Sequence, residues 1–147
     1  MLKSLDPLLT PDLLLALRAM GHGDTIAIVD ANFPAETNAR RLIRLDGHPS
    51  PRVLDAVLSV LPLDDFDATP ALRMEVVGDP TAEMPIFKEF RALLARHEPQ
   101  LQNPLGSLER HAFYAASRTA FAVVATGETR LYGNILLRKG VIRPTLA

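Results

Sequence analysis

The chain contains no cysteine. That excludes disulfide scaffolding, thiol nucleophiles and thiolate metal sites, and it suits a reducing cytosol. Charge of either sign is not in excess: 16 basic and 17 acidic residues leave a net charge of -1. With no basic stripe or acidic tail, electrostatics give no reason to expect nucleic acid or an anionic membrane as partner. Long apolar runs are missing too. The leucines after Met1–Thr10 are broken by Pro11, Asp12, Arg18 and Gly21, well short of the roughly 20 residues that span a bilayer. Met1–Thr10 lacks the apolar core of a signal peptide, so a cytoplasmic location is expected. Repeats, low-complexity tracts and long linkers are also absent.

What is present is a core. Of 147 residues, 48% are hydrophobic, enough for a single domain over 1–147. Thr10-Pro11-Asp12 reads as a helix start, with a capping hydroxyl, proline in the first turn and an acid at the positive dipole end. Leu13, Leu14, Ala16, Leu17 and Met20 give an apolar face, and Gly21 supplies the stop, so a helix is expected over 11–20. The short run Thr25 to Val29, bounded by Gly23-Asp24 and Asp30, reads as a strand buried on both faces.

Further strands are expected over 42–45, 72–77, 105–109, 121–125 and from 134 to 137. Ser50-Pro51 repeats the capped helix start, 85–97 is a third helix, and a fourth covers 112–119. Helices alternating with short buried strands predict α/β layers.

Three places can carry chemistry. In Gly21-His22-Gly23-Asp24, glycines flank an imidazole that can donate or accept a proton near neutral pH. The same residues also read as a plain turn with a loop histidine. Asp30 stands where a buried strand ends, the edge at which ligands gather in open α/β sheets. It can equally cap the following turn through its own backbone. Tyr132-Gly133-Asn134 enters the last strand, where residues two apart share a face and offer a phenol and a carboxamide to sugar hydroxyls. Gly133-Asn134 is ordinary turn chemistry as well.

Other motifs fail. His48, His97 and His111 have no metal-ligand spacing with each other or with His22. Gly21-His22-Gly23 follows a helix and precedes a strand, the reverse of a dinucleotide fingerprint. No phosphate loop and no Gly-x-Ser-x-Gly turn occurs. Asp64, Asp65 and Asp67 read as solvated loop charge.

Taken together, Met20-Gly21-His22-Gly23-Asp24, Asp30-Ala31-Asn32-Phe33-Pro34-Ala35, Ala112-Phe113-Tyr114 and the run from Thr126-Gly127-Glu128 to Tyr132-Gly133-Asn134-Ile135-Leu136-Leu137 resemble the family of L-fucose mutarotases and D-ribose pyranases. The resemblance runs from Leu2-Lys3 to Gly140-Val141. It implies a three-layer α/β/α sandwich and an isomerase that opens and recloses a sugar hemiacetal, needing neither cofactor nor metal. It further implies His22 as proton donor, and Asp30, Arg110, Tyr132 and Asn134 as sugar-binding residues, with His111 the neighbour competing with Arg110.

Arg110 and Gly133 match the fucose branch, whereas Asn32 stands where that branch often has histidine. L-fucose is therefore the favoured monosaccharide. D-ribose pyranase activity and a non-catalytic sugar-binding role beside an uptake system are the alternatives. The family's ring-shaped homo-oligomers, often decamers, imply sites near subunit boundaries. The imidazole is accordingly expected to share a pocket with Asp30 and the Tyr132–Asn134 pair, within one subunit or between neighbours.

Overall fold

In the computed structural model, which describes residues 1–146, the chain runs α1 (Pro11–Ala19), β1 (Thr25–Val29), α2 (Ala35–Asn38), β2 (Leu42–Leu45), α3 (Ser50–Leu58), β3 (Ala71–Met74), α4 (Pro85–His97), β4 (Leu105–Leu108), α5 (Arg110–Thr119), β5 (Ala122–Thr126), β6 (Ile135–Arg138). The strands form one sheet in the order β2-β5-β1-β6-β3-β4. Strands β2, β5 and β1 are parallel, as are β3 and β4, and β6 lies antiparallel between β1 and β3.

Alternate residues of the central strands feed two cores, as the two-residue strand period requires. Ile26, Ile28, Val124, Ile135 and Leu137 pack with Leu13, Leu17, Val53, Leu54, Val57, Phe87 and Phe90 from α1, α3 and α4. Ala27, Val29, Val123, Ala125 and Leu136 face the other way, onto Phe33, Ala35 and Phe113 beside α2 and α5. The expected three-layer α/β/α sandwich is therefore what the chain builds.

The local signals act as read at α1, where Thr10 Oγ1 accepts from the Leu13 N–H at 3.3 Å. The stop differs: Met20 turns to extended backbone (ψ 137°) and ends the helix, and it is Gly23, with φ +86°, that takes the left-handed conformation. At α3 the expected serine cap is absent. Pro49 precedes the helix without a side-chain cap, and Ser50 Oγ is buried with no partner. The acid that meets the Ser50 N–H is Glu128, supplying negative charge at a helix start from a distant segment.

Strand β3 stops at Met74, short of Val77, because Val76 and Asp79 pair across a tight turn. The short helix α2 was not expected. Asn38 holds it, donating to the Pro34 carbonyl at 2.8 Å and accepting from Arg118 of α5 at 2.8 Å.

The antiparallel β6 decides where chemistry can occur. Its first residue, Ile135, pairs with Ile28 near the carboxyl end of β1, and its last, Arg138, pairs with Thr25 at the amino end. Residues just before β6 therefore meet Asp30, and residues just after it meet the His22 loop.

Candidate active site

Four of the five residues singled out in the sequence converge. Asp30, Arg110, Tyr132 and Asn134 line one cleft of about 240 Å³, together with Asn32, Phe33, Met74, Val77, Tyr114 and Leu131. The cleft opens at the carboxyl ends of β1 and β3, on either side of the antiparallel insertion of β6.

Asp30 and Asn134 grip each other. The Asp30 N–H donates to Asn134 Oδ1 at 2.8 Å, and Asn134 Nδ2 donates to Asp30 Oδ2 at 2.9 Å. Asp30 Oδ1 accepts from the Asn32 N–H at 3.0 Å, so the turn-capping reading of this aspartate also holds. Both side chains are buried. Burial pushes the Asp30 carboxyl above the usual carboxylate range, against the opposing pull of hydrogen bonds from Asn32, Asn134 and other backbone N–H groups. A carboxyl group so placed can hold a sugar hydroxyl and exchange a proton with it.

Tyr132 reaches the cleft by a different route from the one expected. It does not alternate with Asn134 along an extended chain; it has φ +64°, and the strand begins only at Ile135. This left-handed turn swings the phenol toward β3, where its oxygen accepts from the Val77 N–H at 3.1 Å. Arg110 opens α5, behind the Glu109 cap that accepts from the His111 and Ala112 N–H groups. Its Nε is buried without a partner, which leaves a donor for a ligand. His111 lines a neighbouring hollow with Glu75 and Glu109 and not this cleft.

The sequence reading assigned no role to the rest of the wall. Phe33 and Tyr114 meet edge to face with centroids 5.3 Å apart, and Met74, Val77 and Leu131 complete an apolar side. Tyr114 belongs to the Ala112-Phe113-Tyr114 motif already noted, and helical rotation separates its role from that of the buried Phe113. A wider hollow of about 530 Å³ shares Asp30 and Phe33 but contains none of Arg110, Tyr132 or Asn134.

His22 lies elsewhere in the chain. It sits in the loop before β1, whereas Asp30 follows β1. The five strand residues between them span roughly 16 Å at about 3.3 Å per residue. Within one chain, the imidazole and the cleft occupy opposite ends of the sheet. The imidazole is nonetheless both accessible and held: its side chain is 45% exposed and its Nε2 lies 3.1 Å from Oδ1 of Asp64, whose side chain is only 7% exposed. The same carboxylate oxygen accepts from the Phe66 N–H at 3.1 Å, and the Phe66 ring lies 5.4 Å from the imidazole.

Asp64 is thus not the solvated loop charge expected. Its backbone N–H donates to the Arg138 carbonyl, which draws it against the end of β6. The loop around His22 is held on both sides. Gly23 N–H donates to Lys139 O, Lys139 N–H donates to Asp24 O, and Lys139 Nζ donates to the Leu17 and Met20 carbonyls that end α1.

Among the described residues no cluster of three or more His, Asp or Glu side chains forms a metal site, and no helix is long and apolar enough to cross a membrane.

Residues 3–142 match the RbsD / FucU transport protein family. The chain is 44% identical to the fucose mutarotase of Bos taurus, covering 97% of this chain and 95% of that protein. In structure it is similar to FucU from Bifidobacterium longum, with 40% identity, a TM-score of 0.91 and coverage of 96% and 100%. It is also similar to the fucose mutarotase from Streptococcus pneumoniae solved in complex with L-fucose, with 40% identity, a TM-score of 0.88 and coverage of 97% and 100%. Matched over nearly its whole length in sequence and in fold, this chain belongs to the RbsD/FucU family.

Proposed function

We propose that this chain interconverts the α and β anomers of L-fucose. The observation that carries the reading is the convergence of Asp30, Arg110, Tyr132 and Asn134 on one sugar-sized cleft with an apolar side wall, in a chain 44% identical to a fucose mutarotase. The polar groups suit ring hydroxyls, and Phe33, Met74 and Val77 suit an apolar substituent of a deoxy sugar.

Mutarotation protonates the ring oxygen as the anomeric hydroxyl loses its proton. The bond between the anomeric carbon and the ring oxygen breaks, an aldehyde forms, and rotation followed by reclosure gives the other anomer. No carbon–hydrogen bond breaks and no electrons are transferred, so positioned acids and bases suffice.

His22 is the proton donor in this reading, delivered to the cleft by a second copy of the chain. Its exposure supports this, as do the exposed apolar residues at both ends: Phe66 beside the imidazole, Val77 and Leu131 beside the cleft. A contact between one end of a chain and the opposite end of its neighbour is head-to-tail, and such contacts form a ring where the rotation between copies closes. A ring-shaped homo-oligomer completes the reading, with the decamer and the cytoplasmic location taken from the family resemblance. Asp30 holds the anomeric region, and Arg110, Tyr132 and Asn134 fix the ring in a reactive pose.

Saturation-transfer NMR on equilibrated L-fucose tests the activity, because only a catalyst speeds exchange between anomers already at equilibrium. Faster α/β exchange with L-fucose than with D-ribose, D-galactose or L-rhamnose is expected. Exchange unchanged by the protein would refute the proposal.

A further inference from the structure

The segment Gly127–Asn134 between β5 and β6 carries two of the four cleft residues singled out in the sequence and has no regular secondary structure. Its placement therefore depends on side-chain ties. Thr126 Oγ1 donates to the Val29 carbonyl at 2.8 Å and accepts from the Glu128 N–H at 3.2 Å. The Glu128 carbonyl accepts from the Ala31 N–H at 2.8 Å, fixing the Glu128 backbone to the residue that follows Asp30.

The Glu128 side chain is 3% exposed and does not line the cleft. Its Oε1 accepts from the Arg130 N–H at 3.0 Å and from Arg130 Nε at 2.9 Å, and its Oε2 accepts from Arg130 Nη2 at 3.0 Å. The Arg130 guanidinium also binds Glu89 of α4, and the Ser50 N–H at the start of α3 faces the Glu128 carboxylate. A Cβ on Gly133 would come within 2.6 Å of Glu128 Cγ. The glutamate stem therefore supports the backbone between Tyr132 and Asn134 from beneath.

We propose that Glu128 is a positioning residue: chelated by Arg130, its buried carboxylate sets the height of the Tyr132–Asn134 turn and so the grip of Asn134 on Asp30. This rests on the reading of the cleft as a sugar site. Burial pushes the Glu128 carboxyl up, but the Arg130 guanidinium and the N–H groups of Arg130 and Ser50 outweigh it and hold the group below the usual carboxylate range. A permanently ionised, bidentate partner fixes geometry better than a neutral one.

Glu128→Gln keeps the volume and one acceptor but removes the charge and the two-oxygen chelate. In the full oligomer, KM for L-fucose is expected to rise about tenfold, a loss of about 1.4 kcal/mol of sugar binding, with kcat changing far less. Amide hydrogen exchange at Asp30, whose N–H donates to Asn134, is expected to accelerate about tenfold as well.

A purely structural glutamate would move the melting temperature and spare both readouts. An unchanged KM together with unchanged Asp30 protection overturns the proposal. If wild-type protein does not exchange L-fucose, the sugar reading fails and Asp30 protection alone decides the role of Glu128. If Glu128→Gln does not fold, Arg130→Gln removes the same chelate from its exposed side and is judged by the same two measurements. The pair Gly133→Ala and Glu128→Ala gives a further check: the alanine at 133 is expected to raise KM less when the stem at 128 is gone. Additive effects would deny the contact.

Discussion

Two histidine–aspartate pairs stand in different parts of this molecule, and distance alone would rank them wrongly. His97 Nε2 lies 2.7 Å from Asp55, and His22 Nε2 lies 3.1 Å from Asp64. Exposure runs in opposite directions. In the first pair the ring is 19% exposed and the carboxylate 34%, and Arg96 shares the carboxylate. That is a staple between α3 and α4, with its acid facing water. In the second pair the ring is 45% exposed and the acid 7%. A buried carboxylate there fixes a solvent-facing imidazole, the arrangement that the proposed proton donor requires. The side facing water, more than the bond length, separates the ring proposed to react from the ring that staples two helices.

The sharpest way to break this comparison is to remove the exposed ring. His22→Asn is expected to slow anomer exchange about 10²- to 10⁴-fold, the contribution of a positioned acid, while the melting temperature barely moves, since the side chain is half in solvent. Mixing subunits carrying His22→Asn with subunits carrying Asp30→Asn should restore part of the activity. One sound imidazole then meets one sound cleft. Dead mixtures of folded, co-assembled variants would place both groups of each site in one subunit, against the strand that separates them.

Next in size is Asp64→Asn. The amide oxygen can still accept from the ring and from the Phe66 N–H, so the loop should stay folded, but the charge that orients the imidazole is gone. Loss of an orienting partner is expected to cost about 10–100-fold in kcat. If kcat falls less than twofold, by about 0.4 kcal/mol or less, Asp64 belongs with Asp55 among the staples.

How much of this was legible in the sequence depends on how local each signal was. Thr25–Val29 and Pro85–His97 appear with the boundaries read, because Gly23-Asp24, Asp30 and Pro85 punctuate the chain themselves. Helix α2 was not legible: four residues held by Arg118 from another helix leave no periodic trace. The burial of Asp64 was hidden for the same reason, since a partner at the end of β6 draws it in. Asp30 at a strand end was visible, but its bond to Asn134 arises only once β6 inserts antiparallel, and the turn at Tyr132 is a backbone conformation that composition does not announce. The separation of His22 from Asp30, by contrast, was already written in the strand between them. Reading that strand as five extended residues is enough to put its two flanks at opposite edges of a sheet.

The smallest expected effect tests the other pair. The hydrogen bond from His97 holds the Asp55 carboxyl below the usual carboxylate range; partial burial opposes this and Arg96 assists it. A carboxyl depressed in the folded state stabilises the fold above its unfolded value, about 3.9, and that contribution fades as pH falls through the folded value. Asp55 is a third exposed, so water screens the pair and its worth is about 1 kcal/mol at most. Asp55→Asn should therefore lower the melting temperature by about 3 °C at pH 7 and leave anomer exchange untouched. The gap between variant and wild type should close as the pH is taken below about 4, where protonation of the wild-type aspartate does what the substitution did. A gap that stays constant from pH 7 to pH 3 would mean that Asp55 stabilises through packing and not charge, and the contrast between the two pairs would then rest on His22 and Asp64 alone.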